Sequence, residues 1–232
     1  MAADFDEFGM QLDVLQEMAF HTLGGLEFYI RTLEQLVDER ESEDVARLRE
    51  RFVALMPGLQ AEFWEWNYPI HWDDVVRSQL RFSFVVTLVS FAELEAKSMA
   101  RQVEYMTGSR LRPSDLRGGD LDRYRKYLEV VGGFSCDSDE VWSSLLQVRD
   151  VRNCIVHADG RLWETSKADR LRSLSGVLPG FALSTETVEL GPEFPVYALR
   201  VVREFTSWLY RAAEASVSAG AAQQGHRADG AR

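Results

Sequence analysis

Cysteine is scarce in this chain: Cys136 and Cys154 are the two present in 232 residues. They offer neither a metal-ligand spacing nor a disulfide framework. Histidine is scarce too, with four in all and no closely spaced pair, and His21, His71 and His226 read as isolated structural or solvated side chains. Glycine is not gathered into a phosphate-cradling loop. Metal and nucleotide cofactors therefore have little support, and no cofactor is expected. Long apolar runs are missing as well. No run approaches the roughly 18 residues of a membrane span, and the first residues carry neither a basic stretch nor a signal-peptide core. The expectation is a cytoplasmic protein with no membrane contact.

Positive charge is also in deficit. Twenty-six basic residues face 37 acidic ones, for a net charge of −11, which argues against broad nucleic-acid binding. The imbalance is uneven. Residues 1–50 hold thirteen acids against four bases, a net of −9, whereas residues 97–126 hold eight bases against four acids, a net of +4. The basic block (Lys97, Arg101, Arg110, Arg112, Arg117, Arg123, Arg125, Lys126) is either a solvated face or an RNA-facing rim. The acidic segment would then repel nonspecific RNA.

Hydrophobic residues make up 46% of the chain and charged residues 27%, ordinary values for a globular protein long enough to bury a proper core. Helical spacing dominates. Asp6 to Arg40 places Leu12, Leu15, Met18, Leu26, Tyr29, Leu33 and Leu36 at helical intervals, with a kink expected at Gly24-Gly25. Ser42 reads as the N-cap of a second helix that breaks at Pro57-Gly58. Phe63, Trp64, Trp66 and Tyr68 crowd near Pro69, a pattern that fits a packed elbow better than a base-stacking platform. A long helix is predicted from Asp73 to Met106, a short one between Gly118-Gly119 and Gly132-Gly133, and another from Thr165 to Leu174. Phe181-Ala182-Leu183 and Val188-Glu189-Leu190 read as a small hairpin, followed by a last helix from Glu193 to Ser216. From Ala219 on, little remains to bury, and a flexible tail is expected.

The most informative stretch is Arg152-Asn153-Cys154-Ile155-Val156-His157, inside a helix predicted from Asp139 to Ala158. Val141, Leu145, Val148 and Ile155 form its apolar stripe, and Arg152 falls in the middle of it. A guanidinium cannot shed its charge, so it needs a carboxylate, a phosphate or a polar cavity there. Glu93 and Glu95, in strongly apolar company on the long helix, are candidate carboxylates. Arg149, Asn153 and His157 recur every four residues along one edge of the helix. Arg152 and His157 are about 140° apart and do not share a face, so they converge only through the reach of arginine or across a second copy.

The Arg-Asn-x-x-x-His hexapeptide resembles the Arg-x(4–6)-His motif of the HEPN superfamily. The preceding LRFSFVVTLVSFAELEAKSMARQVEY (Leu80 to Tyr105), the short Arg123-Tyr124-Arg125-Lys126-Tyr127-Leu128 and the His157-Ala158-Asp159-Gly160 that follows are similar to the family's neighbouring segments. The resemblance covers about Trp72 to Tyr210. It implies a metal-independent endoribonuclease acting as a homodimer, in which the ribose 2′-hydroxyl attacks the adjacent phosphate. On that reading His157 is the general acid or base, since imidazole changes charge near neutrality. Arg152 stabilises the phosphorane, an effect of roughly 10²–10³-fold for one well-placed donor, and Asn153 orients His157 or the phosphate. Arg149, with Arg123, Arg125 and Lys126, would bind substrate. Some toxin members carry a modifiable tyrosine two residues after the histidine. Asp159 stands there, so control by that modification is not supported.

The expected fold is all-α: a HEPN-like helical bundle over 72–218, an N-terminal helical extension over 1–71 packed on it, a hairpin before the last helix and a tail over 219–232. The implied role is a toxin or antiphage-defence effector, with RNA as substrate and a neutralising antitoxin or defence protein as partner. A catalytically silent module working through a protein partner or a bound nucleotide is the alternative.

Overall fold

A computed structural model describes residues 5–67, 71–135 and 139–229. Tyr68, Pro69 and Cys136 lie outside them. Among the described residues, seven α-helices and one two-stranded hairpin carry most of the regular structure: α1 (Phe5–Val53), α2 (Pro57–Asn67), α3 (Ser78–Thr107), α4 (Asp120–Val130), α5 (Asp139–Ala158), α6 (Ala168–Leu174), β1 (Phe181–Ser184), β2 (Thr187–Leu190) and α7 (Glu193–Asp229). The all-helical character read from the sequence holds.

The core is a single cluster drawn from α1, α3, α4, α5, the hairpin and α7. Leu23, Val85, Leu88, Tyr127, Trp142, Leu145, Phe194 and Phe205 are all fully enclosed in it. Aromatic rings tie α5 to α7, with Trp142 edge-on to Phe205 at 5.0 Å and to Trp208 at 5.5 Å between centroids, a preferred geometry for quadrupolar rings. α3 buries Phe84, Val85, Leu88, Val89, Ala92, Ala96, Met99, Ala100 and Val103 along one stripe. Trp72–Thr107 is, by length and composition, long and apolar enough to cross a membrane, with a mean hydropathy of 1.3 in its most apolar window. This departs from the expectation that no stretch comes near that threshold.

The N-terminal segment differs from its sequence reading. α1 runs unbroken through Gly24-Gly25 and through Ser42 to Val53, so neither the kink nor the N-cap is present. Its buried face is Leu12, Ala19, Leu23, Ile30 and Val37, while Met18, Tyr29 and Leu36 point outward. The excess carboxylates of α1 clamp it to the rest of the molecule. Glu34 accepts from Arg81 at 2.7 Å, Asp38 and Glu41 from Arg77 at 2.7 and 2.6 Å, and Asp44 from Trp72 Nε1 at 3.1 Å. As the numbers rise along α1 they fall towards the start of α3, so the two run antiparallel. Pro57 opens α2 at a position where its missing N–H costs nothing, and Phe52, Phe63 and Trp64 form the packed elbow.

α3 ends at Gly108, whose φ of 59° places it in the left-handed region glycine adopts freely. A π-helical turn, Trp72–Arg77, precedes α3, so the helix predicted from Asp73 is regular only from Ser78. The hairpin pairs Phe181 with Leu190 and Ser184 with Thr187 through a two-residue turn, Thr185-Glu186, both at positive φ, as a tight type I′ connection requires. β2 also bridges Arg161 through Thr187, which ties the segment after α5 to the sheet. α6 begins at Ala168 rather than Thr165. α7 continues as helix to Asp229, past the last apolar residues, because the alanines and glutamines there are good helix formers.

Candidate functional site around Arg152

α5 sits at the centre of the bundle, packed on both α3 and α7, with Trp142, Leu145, Val148, Val151, Cys154 and Ala158 buried. That crowding is why Arg152, on the same apolar stripe, keeps only 18% of its side chain exposed. Its guanidinium is met from α3. Nη2 lies 3.5 Å from Glu93 Oε2 and 3.5 Å from Ser90 Oγ, while Nη1 donates to Asn153 Oδ1 at 2.9 Å. Nε is buried with no hydrogen-bond partner among the described residues. Of the two glutamates singled out on α3, Glu93 meets the arginine. Glu95 instead accepts from Tyr210 of α7 at 2.8 Å.

Asn153 is therefore engaged by Arg152. His157 lies in the last turn of α5 and is exposed. Within one chain Arg152 and His157 are about 7.5 Å apart along the helix axis and about 140° apart around it, and the structure does not bring them together. α5 closes through Asp159 and Gly160, both at positive φ, and Gly160 N donates back to Cys154 O at 3.1 Å. Asp159 thus serves the turn, and its carboxylate accepts from Arg161 at 3.3 Å. Burial pushes the Cys154 thiol up, keeping it protonated and unreactive.

The four residues read as substrate-binding are all engaged within the chain. Arg123 pairs with Asp120. Arg125 donates to Glu129 at 2.7 Å, and its guanidinium lies 5.7 Å from the Trp142 ring centre. Lys126 donates to the Arg117 carbonyl at 3.0 Å. Arg149, 13% exposed, reaches from α5 to Asp122 of α4 at 3.3 Å. Arg123 and Arg125 are thus matched by carboxylates of their own short helix, and Arg149 by Asp122 of it. Tyr124, on α4 between these ions, has its phenol pushed up by burial and then by the Asp120 charge, and Arg101 and Glu93 also lie within electrostatic reach.

The sequence reading missed Asp150. It is 1% exposed, and three cations converge on it: Lys167 in a close ion pair, Arg170 Nε at 2.8 Å and Arg149 Nη2 at 4.0 Å. Arg170 is placed for charge rather than aligned for a hydrogen bond. This knot ties α5 to α6 two residues before the hexapeptide. Its signal in the sequence was an aspartate in the middle of an apolar helix, the same kind of anomaly that marked Arg152.

Chemically, the arrangement is an under-satisfied guanidinium oriented by an amide, with a solvent-facing imidazole more than a turn away on another face. One copy does not bring the two side chains together. The chain matches no known family profile, no characterised protein and no solved structure.

Proposed function

We propose that this chain is a metal-independent endoribonuclease of the HEPN type, an RNA-cleaving effector whose working site is composed by two copies. The observation that carries the proposal is the condition of Arg152. An arginine kept only as a clamp is best held by a close bidentate carboxylate. Here Glu93 touches one nitrogen at 3.5 Å, and Nε is left buried without a partner among the described residues. An unmatched buried donor is costly, and so weakly held a guanidinium can turn from Glu93 to an incoming phosphodiester oxygen.

In the proposed reaction His157 acts in proton transfer from an exposed position that a second copy's Arg152 can approach. The 2′-hydroxyl loses its proton to the general base and its oxygen bonds to phosphorus. The P–O5′ bond breaks, and the leaving oxygen takes a proton from the general acid. The products are a 2′,3′-cyclic phosphate and a 5′-hydroxyl, and Arg152 stabilises the charge that builds on the phosphorane. A toxin or defence role, neutralised or triggered by a partner protein, goes with this reading.

A second reading is favoured by Glu93 itself. With a carboxylate on Arg152, the pair holds α3 to α5, and the domain serves as a silent binding module. The deciding experiment is cleavage of total tRNA and ribosomal RNA in EDTA by wild type, Arg152→Ala and His157→Ala. Discrete fragments ending in cyclic phosphate, made by wild type alone, support the nuclease. Equal inactivity of three folded proteins supports the module.

A further inference from the structure

The outward side of α1 carries a second apolar stripe. The inward face is Leu12, Ala19, Leu23, Ile30 and Val37. Roughly 100–160° around the same helix stand Val14, Met18, Phe28, Tyr29 and Leu36, each between 45% and 72% exposed. One exposed apolar residue needs no explanation, but five aligned along roughly 33 Å of one helix do. Met, Phe and Tyr are enriched at protein interfaces. Gly25 lies mid-stripe, in the interior of a long helix where glycine is a poor choice. A Cβ there would meet nothing within 4 Å, so nothing in its own chain requires glycine.

We propose that this face docks a second copy of the chain, with the two α1 helices antiparallel and crossing at Gly25. The stripe is self-complementary about that point. A twofold axis through Gly25 sets Val14 against the partner's Leu36, Met18 against the partner's Thr32, Thr22 against the partner's Phe28 and Tyr29 against the partner's His21, so that the large residues meet smaller, apolar or aromatic ones. The crossing glycines let the backbones approach closely. Charge fits as well. Glu17 comes beside the partner's Arg31 on one flank, and symmetry repeats the pair. Arg31 is 68% exposed in the single chain and holds Glu27 of its own helix. The same register brings Asp13 towards the partner's Asp38, but Asp38 is already neutralised by Arg77 at 2.7 Å. By itself an isologous contact of this kind closes as a dimer, and it is separate from the contact that would join Arg152 to His157, so that both together would build a larger assembly. It uses none of Arg152, Asn153 or His157, and so holds whether or not the chain cuts RNA.

The test is sedimentation velocity of the full chain over a wide concentration range. Wild type is expected to dimerise. Gly25→Leu should raise the dimer dissociation constant at least about tenfold, as the loss of a central contact does, without lowering helix content or Tm, because the added side chain has open space in its own chain. Glu17→Arg and Arg31→Glu should each weaken the dimer, and the double exchange should restore it. A chain that stays monomeric throughout overturns the proposal, as does a dimer that Gly25→Leu leaves unchanged. A double exchange that fails to restore association overturns the antiparallel register.

Discussion

Replacing Glu93 by glutamine separates the two readings of Arg152. The pair sits at 3.5 Å with side chains 18% and 27% exposed. In the low-dielectric limit that separation would imply a strong attraction, but water reaches both groups and screens it. Ion pairs of this partly exposed kind are worth on the order of 1 kcal/mol. A phosphate that takes Arg152 must first displace Glu93, so neutralising the carboxylate should strengthen engagement of RNA by about 1 kcal/mol, roughly fivefold. The amide keeps the shape and can still accept a hydrogen bond, so folding should lose less than about 1 kcal/mol. The assay is single-turnover cleavage of end-labelled RNA in EDTA at subsaturating enzyme, with urea unfolding alongside. A nuclease whose rate falls tenfold in Glu93→Gln, with stability intact, refutes the reasoning, because Glu93 would then be a positioning residue for Arg152 rather than its competitor.

Three further outcomes follow from the ion pairs. Asp150→Ala breaks a buried ion network, in which Lys167 and Arg170 can turn to water while Arg149 keeps only Asp122 at 3.3 Å, so the loss should be about 3 kcal/mol, or roughly 6–12 °C in Tm. A loss below about 1 kcal/mol by urea titration would mean that the knot is not structural. Burial raises the Glu95 carboxyl, and the hydrogen bond from Tyr210 only partly offsets it. Its folded form therefore favours the proton, and stability from this site is full below the ordinary glutamate range and lost as pH rises through the raised value. Glu95→Gln should erase that loss, so the wild-type minus variant difference in Tm should widen from pH 4 to pH 8. Glu27 has the opposite sign. The Arg203 hydrogen bond holds its carboxyl low, so its contribution is present above the usual carboxylate range and fades as pH falls through the lowered value. Glu27→Gln should accordingly flatten the acid limb of the stability curve.

Element type was legible wherever periodicity was strong and ends were marked by glycine or proline. α5 and the hairpin fall where the residues place them, and Gly108 ends α3 as its left-handed φ requires. α1 was misread because its outward residues are apolar too. A stripe that mixes Met18, Tyr29 and Leu36 with Leu12 fits a helical period, yet it spans two opposite faces, and only packing separates them. At the site, the rule that a stripe arginine needs an anionic partner led to Glu93. Spacing alone could not select Glu93 over Glu95, because the choice depends on the rotation of α3 and on the reach of Tyr210 from α7. Asp150 was missed for a similar reason, since its cations come from Lys167 and Arg170, in a segment whose return to α5 no local pattern specifies.

Part of each charge block in the sequence is used up by pairing inside the fold. The acidic first fifty residues hold Arg77, Arg81 and Arg203 through Asp38, Glu41, Glu34 and Glu27, so much of their charge is matched inside the molecule. Within the basic block, Arg123, Arg125 and Arg112 are likewise answered by Asp120, Glu129 and Glu104. Repulsion of RNA by an independent acidic extension therefore cannot be tested by removing residues 1–66. That truncation also removes Leu12, Ala19, Leu23 and Ile30 from the common core. At about 2–5 kcal/mol for each of the three large core side chains lost, the total of about 6–15 kcal/mol is as much as the roughly 5–15 kcal/mol that holds a domain together. The truncated chain should lose its cooperative unfolding transition by calorimetry. A truncation that retains that transition would show instead that α1 is an appendage, and the role of its charge would again be open to test by deletion.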